Sequence, residues 1–186
     1  MSSDNPLKYE LHAVWPEADS ATQTDVIRFW ENEGAIDSPQ ERRARAKELL
    51  VVARGVRNQI VAVSTAAPRF VKQLGFECFH YRTFTGTKNR GAGLRGSDVL
   101  TTLYRDSYRH LNSRFLQGHD PQVLGLYFEI ENPALARYLN RLVWSEYGVD
   151  VIYLGISERG LHQRVSYFEN SRIPGSGPTR MLPPAR

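Results

Sequence analysis

Phe84-Thr85-Gly86-Thr87-Lys88-Asn89-Arg90-Gly91-Ala92-Gly93-Leu94-Arg95-Gly96-Ser97 joins two segments of opposite character. Upstream, Phe76 to Phe84 is aromatic-rich and free of breakers, which predicts a strand. Downstream, Val99, Leu100, Leu103, Tyr104, Ser107, Leu111 and Phe115 fall on one stripe, which predicts an amphipathic helix over Ser97–Phe115. Glycines in such a connection let successive backbone N–H groups turn toward one concave point, and the helix N-terminus adds about half a positive charge there. With Lys88, Arg90 and Arg95 in the same loop, strand, loop and helix together predict an anion site of phosphate or pyrophosphate size. A glycine-rich turn without a ligand is the competing reading.

The rest of the chain is read outward from this loop. Tyr9–Val14 predicts a first strand stopped by Pro16. Ala21, Val26, Phe29 and Trp30 recur at helical spacing, with Thr22 or Thr24 to cap the helix and Gly34 to end it. A second helix opens at Ser38-Pro39 with Ser as N-cap and Pro at the first helical position. Leu50–Arg54 and Gln59–Thr65 read as a hairpin around Gly55–Asn58, followed by a polar break at Pro68. After the long helix come a strand at Val123–Ile130, a helix from Pro133 through Trp144, and a hairpin of Val151–Ile156 and Val165–Phe168 around Ser157–Gly160. The order β-α-α-β-β-β-α-β-α-β-β predicts a single α/β (α+β) domain over residues 1–172, with a mixed six- or seven-stranded sheet and four helices. Residues 173–186, with four Pro and two Gly, read as a flexible tail.

Composition narrows the function classes. The chain has 186 residues, 41% hydrophobic and 24% charged, with a formal charge of +4. That length suits one domain. No run approaches the ~18–20 apolar residues of a membrane span, and the polar N-terminal stretch lacks the pattern of a secretory signal, so a cytoplasmic protein with no membrane partner is expected. The lone Cys78 supplies neither a disulfide nor a cysteine metal site, and no metal is expected. Seven acidic residues between Glu17 and Glu41 face Arg28 alone, whereas Arg42 to Arg57 reverse the sign. No recognisable nucleic-acid motif accompanies those arginines, and no nucleic-acid partner is expected. Nothing fixes the oligomeric state, which leaves a homodimer open.

Two families use a loop of this kind. Gly91-Ala92-Gly93-Leu94-Arg95-Gly96 satisfies the G-x-G-x-x-G dinucleotide pattern. That pattern wants its first glycine almost at the end of a largely apolar strand, whereas six residues separate Phe84 from Gly91 and the strand holds His80 and Arg82. An NAD(P)-dependent oxidoreductase therefore stands as an alternative. Arg90-Gly91-Ala92-Gly93-Leu94 resembles the acyl-CoA pyrophosphate signature R-x-x-G-x-G/A of the GNAT N-acyltransferase superfamily, and the element order from Tyr9 to about Phe168 is similar to that family's. The sixth motif position, normally Gly or Ala, is Arg95, which either adds a contact to a CoA phosphate or narrows the backbone approach.

The resemblance implies transfer of an acetyl or other short acyl group from acyl-CoA, with acetyl-CoA as co-substrate, to a primary amine in a ternary complex. It implies that Thr83, Phe84 and Thr85 pair with pantetheine and that Lys88, Arg90, Gly91, Ala92, Gly93, Leu94 and Arg95 hold the pyrophosphate. Alternation in Tyr127-Phe128-Glu129-Ile130-Glu131 puts both glutamates on one face, where Glu129 is placed to serve as base directly or through water, unless it is simply solvated or salt-bridged. Asn132, Ala134, Ala136 and Tyr138 resemble the family's N-x-x-A-x-x-L-Y pattern one residue out of register, which makes Tyr138 the expected thiolate donor and Tyr147 the fallback. Packing is the competing role for Tyr138. His80 and Arg82 alternate on the motif strand and are expected either near the acceptor pocket or in the core. The family's first two helices wall the acceptor site, so the acidic segment suggests a small-molecule or peptide amine of cationic character, and a solvated acidic face explains it equally. A CoA-binding sensor or interaction protein without turnover is the further alternative.

Overall fold

The computed structural model describes residues 9–90, 99–146 and 148–175. Gly91, Ala92, Gly93, Leu94 and Arg95 of the loop, and Tyr147, lie outside the described residues. Eight strands form one sheet in the order β1-β2-β3-β4-β5-β8-β7-β6. They are β1 (Tyr9–Ala13), β2 (Leu49–Gly55), β3 (Ile60–Val71), β4 (Phe76–Thr85), β5 (Val123–Ile130), β6 (Val143–Glu146), β7 (Val149–Ile156) and β8 (His162–Tyr167). Every neighbouring pair is antiparallel except β4 and β5, which run parallel. The helices are α1 (Ser20–Asn32), α2 (Pro39–Ala46), α3 (Val99–Leu116) and α4 (Pro133–Tyr138).

Alternation along the strands sends successive side chains to opposite cores. Val52 and Val63 meet Val26 and Trp30 of α1 and Ala46 of α2, while Val51, Ala53, Ala62 and Phe79 meet Leu103 and Leu111 of α3. Each fully buried leucine of α3 contributes about 2 kcal/mol of apolar burial. The turn between α1 and α2 is fixed by Arg42, which is nearly buried, donates to the carbonyls of Ile36 and Asp37, and pairs with Glu31 at 3.3 Å.

Three expectations are corrected. The cap of α1 is Asp19, whose carboxylate accepts from the Thr22 N–H at 2.8 Å, in place of Thr22 or Thr24; Ser38 and Pro39 open α2 as expected. Pro68 does not break β3, which pairs with β4 from Ala62 to Val71. The Ala66 N–H is directed to the Glu48 carbonyl on the β2 side, so the Pro68 nitrogen two residues on faces the same side, past the start of β2, where no donor is needed. The helix from Pro133 ends at Tyr138, and Val143–Glu146 forms an eighth strand where six or seven were expected. Arg164, 1% exposed, donates to the carbonyls of Leu139 and Arg141 and so closes the helix from outside its own segment. Trp144 then pairs with Val151 and stacks on Tyr138 at 4.6 Å between ring centroids.

Candidate active site

The parallel pairing of β4 with β5 is short. It spans Glu77↔Val123 to His80↔Tyr127, with one extra residue taken up on β5 between the first two pairs. Beyond it β4 keeps β3 as its neighbour and β5 keeps β8, so the two strands part in a V. Two features hold them apart. Tyr104 of α3 sits between Tyr81 of β4 at 5.3 Å and Phe128 of β5 at 5.4 Å, a wedge of edge-to-face rings. Gly125 lets β8 close on β5, since a Cβ there would lie 2.4 Å from the Ser166 carbonyl.

The V opens into a cleft of about 1090 Å³. Its β4 edge carries backbone that no neighbouring strand pairs. The Gly86 N–H bonds the Val61 carbonyl on β3, so alternation turns the peptide groups of Thr83 and Thr85 away from β3 and into the gap. Phe84 directs its own peptide groups to β3, in register with Val63, and offers its ring, which meets Phe29 of α1 edge-on at 5.7 Å. The Thr83 hydroxyl is buried and has no hydrogen-bond partner.

The described start of the loop is tied down. Glu33, at the end of α1, accepts from the N–H and hydroxyl of Thr87 at 2.8 and 2.7 Å, and these bonds hold its carboxyl below the usual carboxylate range. Arg90 donates from Nε to the Thr85 carbonyl at 2.8 Å and lays its guanidinium 4.8 Å from the centre of the Phe84 ring. Lys88 is the middle residue of a short 3-10 turn, Thr87–Asn89. Across the cleft, Val99, Leu100 and Thr101 line it from the first turn of α3, so the cleft borders that helix's N-terminal end.

The opposite face of the sheet carries the charged groups. Glu129 is mostly buried, its side chain 16% exposed, and both its oxygens are engaged: one faces the Tyr127 hydroxyl at 3.2 Å and the Gln163 amide at 3.3 Å, the other Arg159 at 3.3 Å. Arg159 also binds Glu131 at 3.0 Å. Burial, then the neighbouring carboxylate, pushes the Tyr127 hydroxyl up to about 12. His80 stands edge-on to Tyr127 at 5.5 Å; burial first, and the cation of Arg82 second, lower its imidazole to about 4, so it is neutral at pH 7. Both His80 and Arg82 line the cleft. Cys78 is buried and its thiol is pushed up to about 12 by that burial, which leaves it inert packing.

The structure thus brings Thr83, Phe84, Thr85, Arg90, Glu129 and Tyr138 onto one cleft. The acidic segment is mostly spent elsewhere. Asp19 caps α1, Asp25 pairs with Arg54, Glu31 with Arg42 and Glu33 with Thr87, and only Glu41 of the seven lines the cleft, where it holds Arg45. Arg159, Gln163 and Trp144 were not singled out beforehand as site residues. Arg159 lies 30 residues from Glu129, and only the placement of β8 beside β5 joins them. Among the described residues no group of three His, Cys, Asp or Glu side chains is arranged to hold a metal ion, and no helix is long and apolar enough to cross a membrane.

No family model matches the sequence and no curated protein matches it. Solved structures do match the fold. A GNAT family N-acetyltransferase from Escherichia coli in complex with CoA shares 14% identity over 94% of this chain and 89% of its own, with a TM-score of 0.53. An alanine acetyltransferase of a ribosomal protein from Vibrio fischeri shares 9% over 89% and 96%, with a TM-score of 0.52. A mutant of the AtaT toxin, bound to the C-terminus of the antitoxin AtaR and to acetyl-CoA, shares 14% over 87% and 94%, with a TM-score of 0.51. With its parted parallel strands, its wedge of rings and this likeness, the chain has the fold of the GNAT acetyltransferases.

Proposed function

We propose that this protein is an N-acyltransferase that moves an acetyl or other short acyl group from acyl-CoA to a primary amine within a ternary complex. The observation that carries the reading is the V between β4 and β5, whose β4 edge turns the peptide groups of Thr83 and the Thr85 N–H toward a cleft, the Thr85 carbonyl being taken by Arg90. That edge suits the amides of an extended pantetheine, which pair with it as an added strand would. Lys88, Arg90 and the head of α3 lie where a pyrophosphate would meet positive charge, with Gly91, Ala92, Gly93, Leu94 and Arg95 completing that loop in sequence. The bound thioester supplies the electrophilic carbonyl.

The chain's own residues do the rest. Glu129 takes the proton lost by the amine as it attacks, directly or through one water. Tyr127 and Gln163 orient that carboxylate. Its contact with Arg159 is a rim contact, since Arg159 is 65% exposed, and such pairs are worth about 0–1 kcal/mol. Tyr138, packed on Trp144 at the far wall, donates to the departing thiolate. A second reading, binding of CoA without turnover, is favoured by the engagement of both Glu129 oxygens.

Titration with acetyl-CoA, combined with thiol release over a panel of amines, tests both. Binding with turnover is the expected result. Binding without turnover of any amine leaves the second reading, and no binding removes both.

A further inference from the structure

The two arms of the V carry opposite charge toward the same side of the sheet. His80 and Tyr127 are the last paired residues; two positions further on, Arg82 stands on the β4 arm and Glu129 on the β5 arm, both on the α1 and α2 face. They do not neutralise one another. Arg82 lies 3.7 Å from Glu48, and Glu129 is held by Arg159. Each arm keeps its own sign.

Around Arg82 on the β4 arm guanidinium groups outnumber carboxylates. Three guanidinium groups, Arg45, Arg69 and Arg82, crowd that end against two carboxylates, Glu41 and Glu48. Arg69 and Arg82 share the single carboxylate of Glu48, Arg69 closely at 2.8 Å and Arg82 loosely. Directly across the ladder from Arg82 is Thr65. Thr65 is 2% exposed, lines the cleft, and its hydroxyl has no hydrogen-bond partner. A buried hydroxyl without a partner costs stability unless something supplies one. Beside the Arg82 guanidinium, whose contacts are the long ones to Glu48 at 3.7 Å and to His80 Nδ1 at 3.4 Å, the group that satisfies both is an oxyanion. His80 adds no competing positive charge of its own at pH 7.

We propose that the acceptor is a zwitterionic amine whose amino group faces Glu129 and Glu131 and whose carboxylate or phosphate is held by Arg82, Arg45 and the Thr65 hydroxyl. This rests on the acyltransferase reading for the amine end; the anion site itself does not. It reverses the cationic acceptor suggested by the acidic segment, because that segment pairs mostly with arginines and caps away from the cleft. Arg82, Arg45 and Thr65 set specificity and take no part in the bond exchange.

Paired acceptors test it with acetyl-CoA and the full chain, by thiol release: L-amino acids against their carboxamides for the carboxylate, O-phosphoethanolamine against ethanolamine for the phosphate. The anionic member of at least one pair is expected to show kcat/KM about tenfold or more above its neutral partner. Arg82→Gln collapses that ratio through KM, Arg82→Lys restores part of it, and Thr65→Val lowers it without lowering the melting temperature. Arg57→Gln, in the exposed β2–β3 turn, serves as control and keeps the wild-type ratio. Turnover with no preference in either pair, or a ratio unmoved by Arg82→Gln, overturns the proposal and leaves the acyltransferase reading intact. If no amine is turned over, calorimetric titration of glycine and inorganic phosphate decides. Binding weakened about tenfold in both Arg82→Gln and Thr65→Val supports the site, and absent or unchanged binding overturns it.

Discussion

The two faces of the sheet at the cleft are built from different material. On the α3 face Tyr81, Tyr104 and Phe128 meet edge to face. On the α1 and α2 face, the neighbouring positions of the same strands hold His80, Arg82, Tyr127 and Glu129. A single step of one residue separates a ring of the wedge from a charged or titratable group. Rings crowd one face and ionisable groups the other, and period-two alternation brings both to one point.

The sharpest way to break that division is Tyr104→Ala. Removing the wedge leaves a void between β4 and β5, with an expected cost of about 3–4 kcal/mol and a fall in melting temperature of roughly 10 °C for a chain of this size, read by calorimetry. Glu129→Gln, on the other face, is expected to leave the melting temperature within about 2 °C and to lower kcat about a hundredfold; equal effects of both variants on stability would erase the distinction. Tyr138→Phe keeps the stack on Trp144 and is expected to lower kcat about tenfold, with the loss confined to the steady state of amine transfer and not to acetyl-CoA affinity.

The smallest effect concerns pH. His80 has its folded value depressed from an ordinary 6.5 to about 4. Between those values the unfolded chain binds a proton that the folded chain refuses, so stability falls as pH drops from about 7 toward 4. At pH 5 this amounts to about 1 kcal/mol after allowance for a side chain partly open to solvent. His80→Gln should flatten the decline in melting temperature between pH 7 and pH 5 by about 3 °C.

Local signals carried much of this from the sequence. Ser38-Pro39 opens α2, the aromatic run to Phe84 is β4, and the stripe through Leu103 and Leu111 is α3. What escaped depended on partners far along the chain. Pro68 is tolerated because β2 begins only at Leu49. The end of α4 is set by Arg164, 25 residues beyond Leu139, and β6 exists because β7 is there to pair with it. The partners of the acidic segment were hidden for the same reason, since Arg54 and Thr87 lie well outside it. At the site, alternation placed Glu129 and the resemblance placed Tyr138, but Arg159 and Thr65 acquire meaning only once the strand order and register are known.

The carboxylate of Glu33 has a reach larger than its two short bonds to Thr87 suggest. It moors the end of α1, which lines the cleft at Trp30, to the start of the loop. A single side chain thereby braces a helix end and a loop into one corner of the cleft's surroundings.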